Sequence, residues 1–240
     1  MCGIVAASAH RGITEILVSG LHTLEYRGYD SAGIALQTDK GLERQRTKGK
    51  VSDLEALLEE HPLKGRCGIA HTRWATHGVP NTENAHPHVS RGSVALVHNG
   101  IIENHDELRE ELTAAGYELD SETDTEVIAH LVHRLMEAGD DLFSAVRNAV
   151  RRLRGAYAIA VVCDSEPGVV VGARAGSPLV LGVDFREHFL ASDVHPLLSV
   201  TNRFVFLEEG DVVRLDTSGY EIRNAVDEAA DRPVKEADLA

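Results

Sequence analysis

Basic residues are scarce: 24 Lys and Arg stand against 38 Asp and Glu, for a formal net charge of -14. A surface that acidic repels phosphate backbones and anionic lipid, which argues against nucleic acid or a membrane as partner. Cysteines are few too. Cys2, Cys67 and Cys163 are odd in number, widely spaced and free of any CxxC pair. That pattern excludes a disulfide framework and a zinc ribbon, and it points to a reducing, cytoplasmic compartment. Long apolar runs are missing as well; a membrane helix needs about 20 such residues. No Lys or Arg precedes the short apolar run at residues 3–7, which stops at His10 and Arg11, so no secretory signal is expected.

What remains is an ordinary globular composition, 43% apolar and 26% charged, in 240 residues, enough to bury a real core. Residues 2–8 read as a buried strand. Ile13, Ile16, Leu17, Leu21 and Leu24 repeat at helical spacing. Two strands joined by a turn follow at 32–37 and 42–48, then a short helix around Leu54, Leu57 and Leu58. A strand at 67–71 leads into a long polar loop with Pro80 and Pro87. Residues 94–98 form an apolar strand ending at Asn99-Gly100. Helices are expected at about 105–115, along Val127, Ile128, Leu131, Val132 and Leu135, and along Leu142, Val146, Ala149, Val150 and Leu153. The last third reads as short strands at 156–163, 169–173, 179–183, 189–191, 203–207, 211–215 and 220–224. Residues 226–240 are polar and aperiodic, the pattern of a linker or tail. The whole predicts a layered α/β (α+β) domain on largely antiparallel sheets. Strands that are apolar without alternation are usually covered on both faces.

Several residues could carry chemistry, and each has a plainer reading beside it. Cys2 becomes N-terminal if Met1 is removed. Its α-amine, with a reference pKa of about 7.7–8.0, would then be a built-in base for its own thiol; otherwise Cys2 is a small packed residue. The stretch His71-Thr72-Arg73-Trp74-Ala75-Thr76-His77-Gly78 runs from a strand into a loop. Arg73 offers a fork for a carboxylate, and Thr76 and His77 offer donors. The alternative is a surface Arg beside a half-buried Trp. Asn99 and Gly100 could form an oxyanion hole or a common turn pair. Thr123 and Glu126 fit a helix capping box, with Asp124 complementing the helix dipole. His71, His77, His86, His88 and His98 invite a metal reading, but no HExxH is present and Pro87 puts His86 and His88 in a loop, so no metal site is assigned.

The order of these signals is more specific than any one of them. Met1-Cys2-Gly3-Ile4-Val5, Glu25-Tyr26-Arg27-Gly28-Tyr29-Asp30-Ser31-Ala32-Gly33, the Arg73 loop, Asn84-Ala85-His86-Pro87-His88, His98-Asn99-Gly100-Ile101-Ile102-Glu103-Asn104 and residues 121–127 follow one another. Together they resemble the glutaminase domain of the glutamine–fructose-6-phosphate aminotransferases, class II glutamine amidotransferases, from residue 1 to about 224. Trp74 sets the loop apart from amidophosphoribosyltransferase relatives, where a Tyr usually stands; Ala6 replaces a commoner Gly.

The resemblance implies a four-layer αββα N-terminal-nucleophile hydrolase sandwich with two mainly antiparallel sheets. It implies Cys2 as nucleophile with its own α-amine as base, Asn99 and Gly100 as oxyanion donors, and no metal or organic cofactor. Arg73 would hold the α-carboxylate of L-glutamine and Asp124 its α-ammonium. Thr76 and His77 would line the site and Trp74 would lie on a closing loop. Residues 1–225 are then the glutaminase domain, and 226–240 a linker toward an isomerase domain absent from this chain. The full-length protein is expected to be a homodimer. The fragment is expected to release ammonia from glutamine without making glucosamine 6-phosphate. A glutamine-sensing module without catalysis is the alternative from another class, but both Cys2 and Asn99 are present.

Overall fold

The structure is a computed structural model and describes residues 2–237. Its first strand, β1 (Gly3–Ala9), is buried along its whole length. The run Gly-Ile-Val-Ala-Ala-Ser-Ala has no polar face to turn to water. Because side chains alternate, Ile4 and Ala6 enter one apolar cluster while Val5, Ala7 and Ala9 enter another. A strand covered on both faces must lie mid-sheet, and β1 does. It pairs antiparallel with β4 (Cys67–Arg73) on one side and β10 (Glu187–Ala191) on the other.

The same logic builds two sheets, antiparallel throughout their paired strands. The larger sheet adds β2 (Ser31–Thr38), β3 (Gly41–Lys48), β9 (Val180–Asp184), β11 (Arg203–Phe206) and β14 (Val234–Glu236), in the order β14-β11-β9-β10-β1-β4-β2-β3. The smaller has β5 (His88–Ser90), β6 (Val94–Ile102), β7 (Gly155–Cys163), β8 (Val170–Ala175), β12 (Val212–Leu215) and β13 (Tyr220–Arg223), in the order β13-β12-β8-β7-β6-β5. Between the sheets lies a layer of side chains that includes Ala6, Ala35, Ala95, Ala158 and Ala160 with Leu181, Leu190 and Val213.

Helices cover the outer faces. Against the larger sheet pack α1 (Thr14–Thr23) and α2 (Val51–Glu60), through Leu17, Leu21 and Leu54. Against the smaller sheet pack α3 (His105–Ala114), α4 (Glu126–Glu137) and α5 (Leu142–Val150), through Leu108, Val127, Leu131 and Val146. The four layers are therefore αββα. None of the described helices is long and apolar enough to cross a membrane.

The structure corrects four expectations. β6 does not end at Asn99-Gly100 but runs on to Ile102, with Asn99 facing Ala158 and Gly100 facing Tyr157 of β7. Gly100 has φ 132, and a Cβ there would come within 2.0 Å of the Ala156 carbonyl oxygen. The pair is thus an irregularity inside a strand rather than a turn. The polar loop after β4 contains the short strand β5, too brief to show a period. The capping box before α4, which starts at Glu126, forms only in half: the Thr123 hydroxyl accepts from the Glu126 N–H at 3.3 Å, but the Glu126 carboxylate accepts from the Asp120 and Ser121 backbone N–H groups at 2.9 and 2.8 Å rather than from Thr123. Finally, residues up to 237 do not hang free as a tail. β14 pairs with β11, and Arg232 holds the buried Asp211 with two bonds of 3.0 and 2.8 Å.

Candidate functional site

Antiparallel pairing of β1 with β4 sets Gly3 opposite Thr72, so Cys2 lies beside the exit of β4. There the Trp74 backbone N–H points at the Cys2 sulfur, 3.2 Å away, and the sulfur is 3.6 Å from the Trp74 carbonyl oxygen. From the other sheet, Asn99 Nδ2 donates to the Cys2 carbonyl oxygen at 3.2 Å. Cys2 is half-buried, whereas Cys67 and Cys163 are buried. Burial raises the Cys2 thiol above its ordinary pKa, while the Trp74 N–H and the Arg73 charge pull it back down. Burial alone dominates at Cys67, which is pushed far up and packs as an apolar residue.

Asn99 is itself held. Its Oδ1 lies 2.9 Å from His71 Nε2, which also lies 3.1 Å from the His98 carbonyl oxygen. Beyond it, Asp124 accepts from the Ile102 N–H at 2.7 Å, and its other carboxylate oxygen is 4.0 Å from His77 Nδ1. Asp124, two residues ahead of α4, therefore also binds the backbone of β6. His77 Nδ1 is buried and has no hydrogen-bond partner.

Arg73 ends β4 and is only 4% exposed. Its Nη2 donates to the His77 and Gly78 carbonyl oxygens. Its Nη1 has no hydrogen-bond partner and faces Asp30 Oδ1 across 3.9 Å. Burial lowers the pKa of this guanidinium, which nonetheless stays charged. A buried cation with an open donor is costly and suits an anionic ligand group. Trp74 is 53% exposed and lies over Gly28, where a Cβ would meet the indole at 2.8 Å. Thr76 lies exposed on the loop between Ala75 and His77, and none of the hydrogen bonds described ties it to the cluster. Cys2, Arg73, Trp74, His77, Asn99 and Asp124 are thus linked directly or through one neighbour. Met1, whose removal the N-terminal chemistry needs, lies outside the described residues.

Asp30 was missed in the sequence. It accepts from the Ala75 N–H at 2.5 Å, and its own N–H donates to the Arg73 carbonyl at 2.7 Å, so it shapes the Arg73 loop. Its sequence signal is its place in the motif at residues 25–33, which assigns it no role of its own. Arg27 pairs with Asp193 at 2.5 Å, next to Ser192, whose hydroxyl accepts from the Ile4 N–H at 3.1 Å. No local pattern announces Ser192 and Asp193, which come from the far end of the chain. The histidines have structural partners: His86 Nδ1 accepts from the His98 N–H at 3.2 Å, His88 Nε2 meets Thr123 Oγ1 at 3.0 Å, and His98 Nδ1 meets Thr125 Oγ1 at 2.9 Å. Burial lowers all three toward the neutral form, His86 and His88 well below the ordinary imidazole value.

Comparison with known proteins agrees with this geometry. A family described as glutamine amidotransferase domain matches residues 71–199. The chain is 57% identical over 216 residues to glutamine–fructose-6-phosphate aminotransferase of Pseudomonas putida, covering 90% of this chain and 35% of that protein. It is 52% identical over 241 residues to the enzyme of the same name from Idiomarina loihiensis, covering 100% of this chain and 40% of the relative. The chain thus spans well under half the length of these relatives. Among solved structures, a glutamine phosphoribosylpyrophosphate amidotransferase from B. subtilis superposes with a TM-score of 0.80 at 26% identity, covering 93% of this chain and 49% of that one. An allosteric regulatory enzyme of purine biosynthesis gives 0.81 at 27% with the same coverage. The αββα sandwich is the N-terminal-nucleophile hydrolase fold. The chain belongs to the glutamine amidotransferase domain family.

Proposed function

We propose that this chain hydrolyses the side-chain amide of L-glutamine to glutamate and ammonia, with Cys2 as nucleophile. The observation that carries the reading is the convergence at Cys2: the Trp74 N–H on its sulfur, and the Asn99 amide on its carbonyl. Arg73 Nη1, buried and open, supplies the complement to an α-carboxylate. The Asp124 oxygen facing His77 complements the α-ammonium. Thr76 completes the wall on the exposed side, and Trp74 covers the mouth.

The steps follow from these positions. With Met1 removed, the Cys2 α-amine takes the thiol proton. The thiolate attacks the amide carbon and forms a C–S bond. An amide NH2 carries two hydrogens; one Asn99 hydrogen goes to the Cys2 carbonyl, and the other, with the Gly100 N–H, meets the oxyanion. The Cys2 α-ammonium, which holds the former thiol proton, passes it to the leaving nitrogen, the C–N bond breaks and ammonia departs. Water then cleaves the γ-glutamyl thioester, releasing glutamate and the thiol. No metal or organic cofactor enters these steps.

In a longer protein the ammonia would convert fructose 6-phosphate to glucosamine 6-phosphate, in an isomerase domain beyond residue 240 and in a homodimer. The names of the relatives support the aminotransfer and isomerisation in this extension, not the homodimer. The test is ammonia release from L-glutamine by wild type and Cys2→Ala. Loss in the variant, with an unchanged melting temperature, is expected; equal rates would overturn the proposal.

A further inference from the structure

His71 lies on β4 of the larger sheet and is fully buried. Its Nε2 reaches across the sandwich to two acceptors of β6: the His98 carbonyl oxygen at 3.1 Å and Asn99 Oδ1 at 2.9 Å. A backbone carbonyl only accepts. Nε2 must therefore carry the hydrogen, and the unpartnered Nδ1 must be bare. An Asn amide can be turned over, exchanging its oxygen and nitrogen. Here that turn would set an NH2 against the His71 N–H, donor against donor. At the other end it would set an oxygen against the Cys2 carbonyl, acceptor against acceptor. Only one orientation satisfies both ends.

We propose that His71 is a positioning residue that fixes the Asn99 side-chain amide with its NH2 toward Cys2. The inference rests on the reading of Asn99 as an oxyanion donor. The imidazole is well suited to the task because it is a fixed donor. Burial lowers its pKa to about 3, so its protonation does not change across the working pH range. The His86 ring stacks on it at 4.1 Å between centroids and 14° between planes, which holds the ring plane. His86 is anchored in turn by the His98 N–H.

The test is a double-mutant cycle with kcat and KM for glutamine read separately. His71→Met fills the space without a donor, and His71→Gln keeps an N–H at similar reach. His71→Met should lower kcat at nearly constant KM, by less than the roughly 10²–10³ expected of Asn99→Ala. His71→Gln should restore most of kcat. In an Asn99→Ala background, His71→Met should have no further effect on kcat. An equal loss in both backgrounds, or a loss in KM alone, would overturn the role of His71. A normal kcat in Asn99→Ala would instead overturn the oxyanion reading beneath it. A measurement on wild type guards against misfolding of the variants: the imidazole ¹⁵N spectrum should show His71 protonated at Nε2 and bare at Nδ1, and the opposite tautomer would contradict the proposal.

Discussion

The side-chain amide of Asn99, in one sheet, donates to the carbonyl oxygen of Cys2, just ahead of the central strand β1 of the other, across 3.2 Å. That one bond couples the nucleophile's backbone to the strand that would receive the oxyanion. It also makes Asn99 testable. Asn99→Ala should cut kcat by roughly 10²–10³ and leave KM nearly unchanged, the usual result of losing an oxyanion donor. Steady-state kinetics on glutamine check this; a rise in KM at constant kcat would make Asn99 a binding residue.

Arg73→Ala should raise KM severely, through loss of a charge-assisted clamp. Asp124 needs a finer comparison because its carboxylate also accepts the Ile102 N–H. Asp124→Ala should raise KM and also destabilise the fold by about 1–3 kcal/mol, the cost of an orphaned buried donor. Asp124→Asn retains an acceptor, so it should recover much of the melting temperature while KM stays high. Melts and kinetics on both variants separate the two contributions.

Gly100→Ala should be damaging in stability as well as rate. The φ of 132 costs a side-chain-bearing residue about 1–3 kcal/mol, and the added Cβ would press on the Ala156 carbonyl oxygen at 2.0 Å. Denaturant unfolding checks it; a wild-type midpoint would mean that β6 relaxes freely at this point.

Stability should fall on acidification from near neutrality. His71, His86, His88 and His98 all have folded pKa values below the ordinary imidazole value because of burial, with His71 at about 3. The unfolded chain therefore binds more protons than the native one as pH drops below about 6.5, and the contribution present above that pH is lost toward the folded values. Glu126, held at about 2 by its hydrogen bonds, against the cost of its burial, adds a second loss below its ordinary value near 4.5. Melting temperature against pH reads this directly. A melting point that stays level from pH 7 to pH 4 would contradict neutral buried imidazoles.

The last segment is expected to support the fold. Arg232→Ala leaves the carboxylate of Asp211, wholly buried, with only the Glu208 N–H among its described partners, and should destabilise by about 1–3 kcal/mol. Calorimetry checks it; an unchanged melting point would mean that the Arg232–Asp211 pair adds nothing.

Most strands and helices were legible because their burial is periodic or total: Ile4 and Val5 enter opposite cores, and Val127, Leu131 and Val132 share one face. β14 was not, because Val234, Lys235 and Glu236 are all exposed and owe their conformation to pairing with β11. Asn99-Gly100 looked like a turn because that pair tolerates positive φ, and only pairing with β7 reveals a strand there. In the site, Cys2, Arg73, Asn99 and Asp124 were readable as residue types with a chemical use. Asp30 and His71 were harder, since each acts on another residue rather than on a ligand, and such roles exist only once β1, β4 and β6 are assembled.

The most direct test of the central claim compares two preparations of one sequence, one with Cys2 confirmed as the first residue by intact mass and one retaining Met1. Both should fold alike. Only the first should release ammonia from glutamine, because only it has an α-amine beside the Cys2 thiol. Equal release by the Met1-bearing protein would contradict an N-terminal nucleophile.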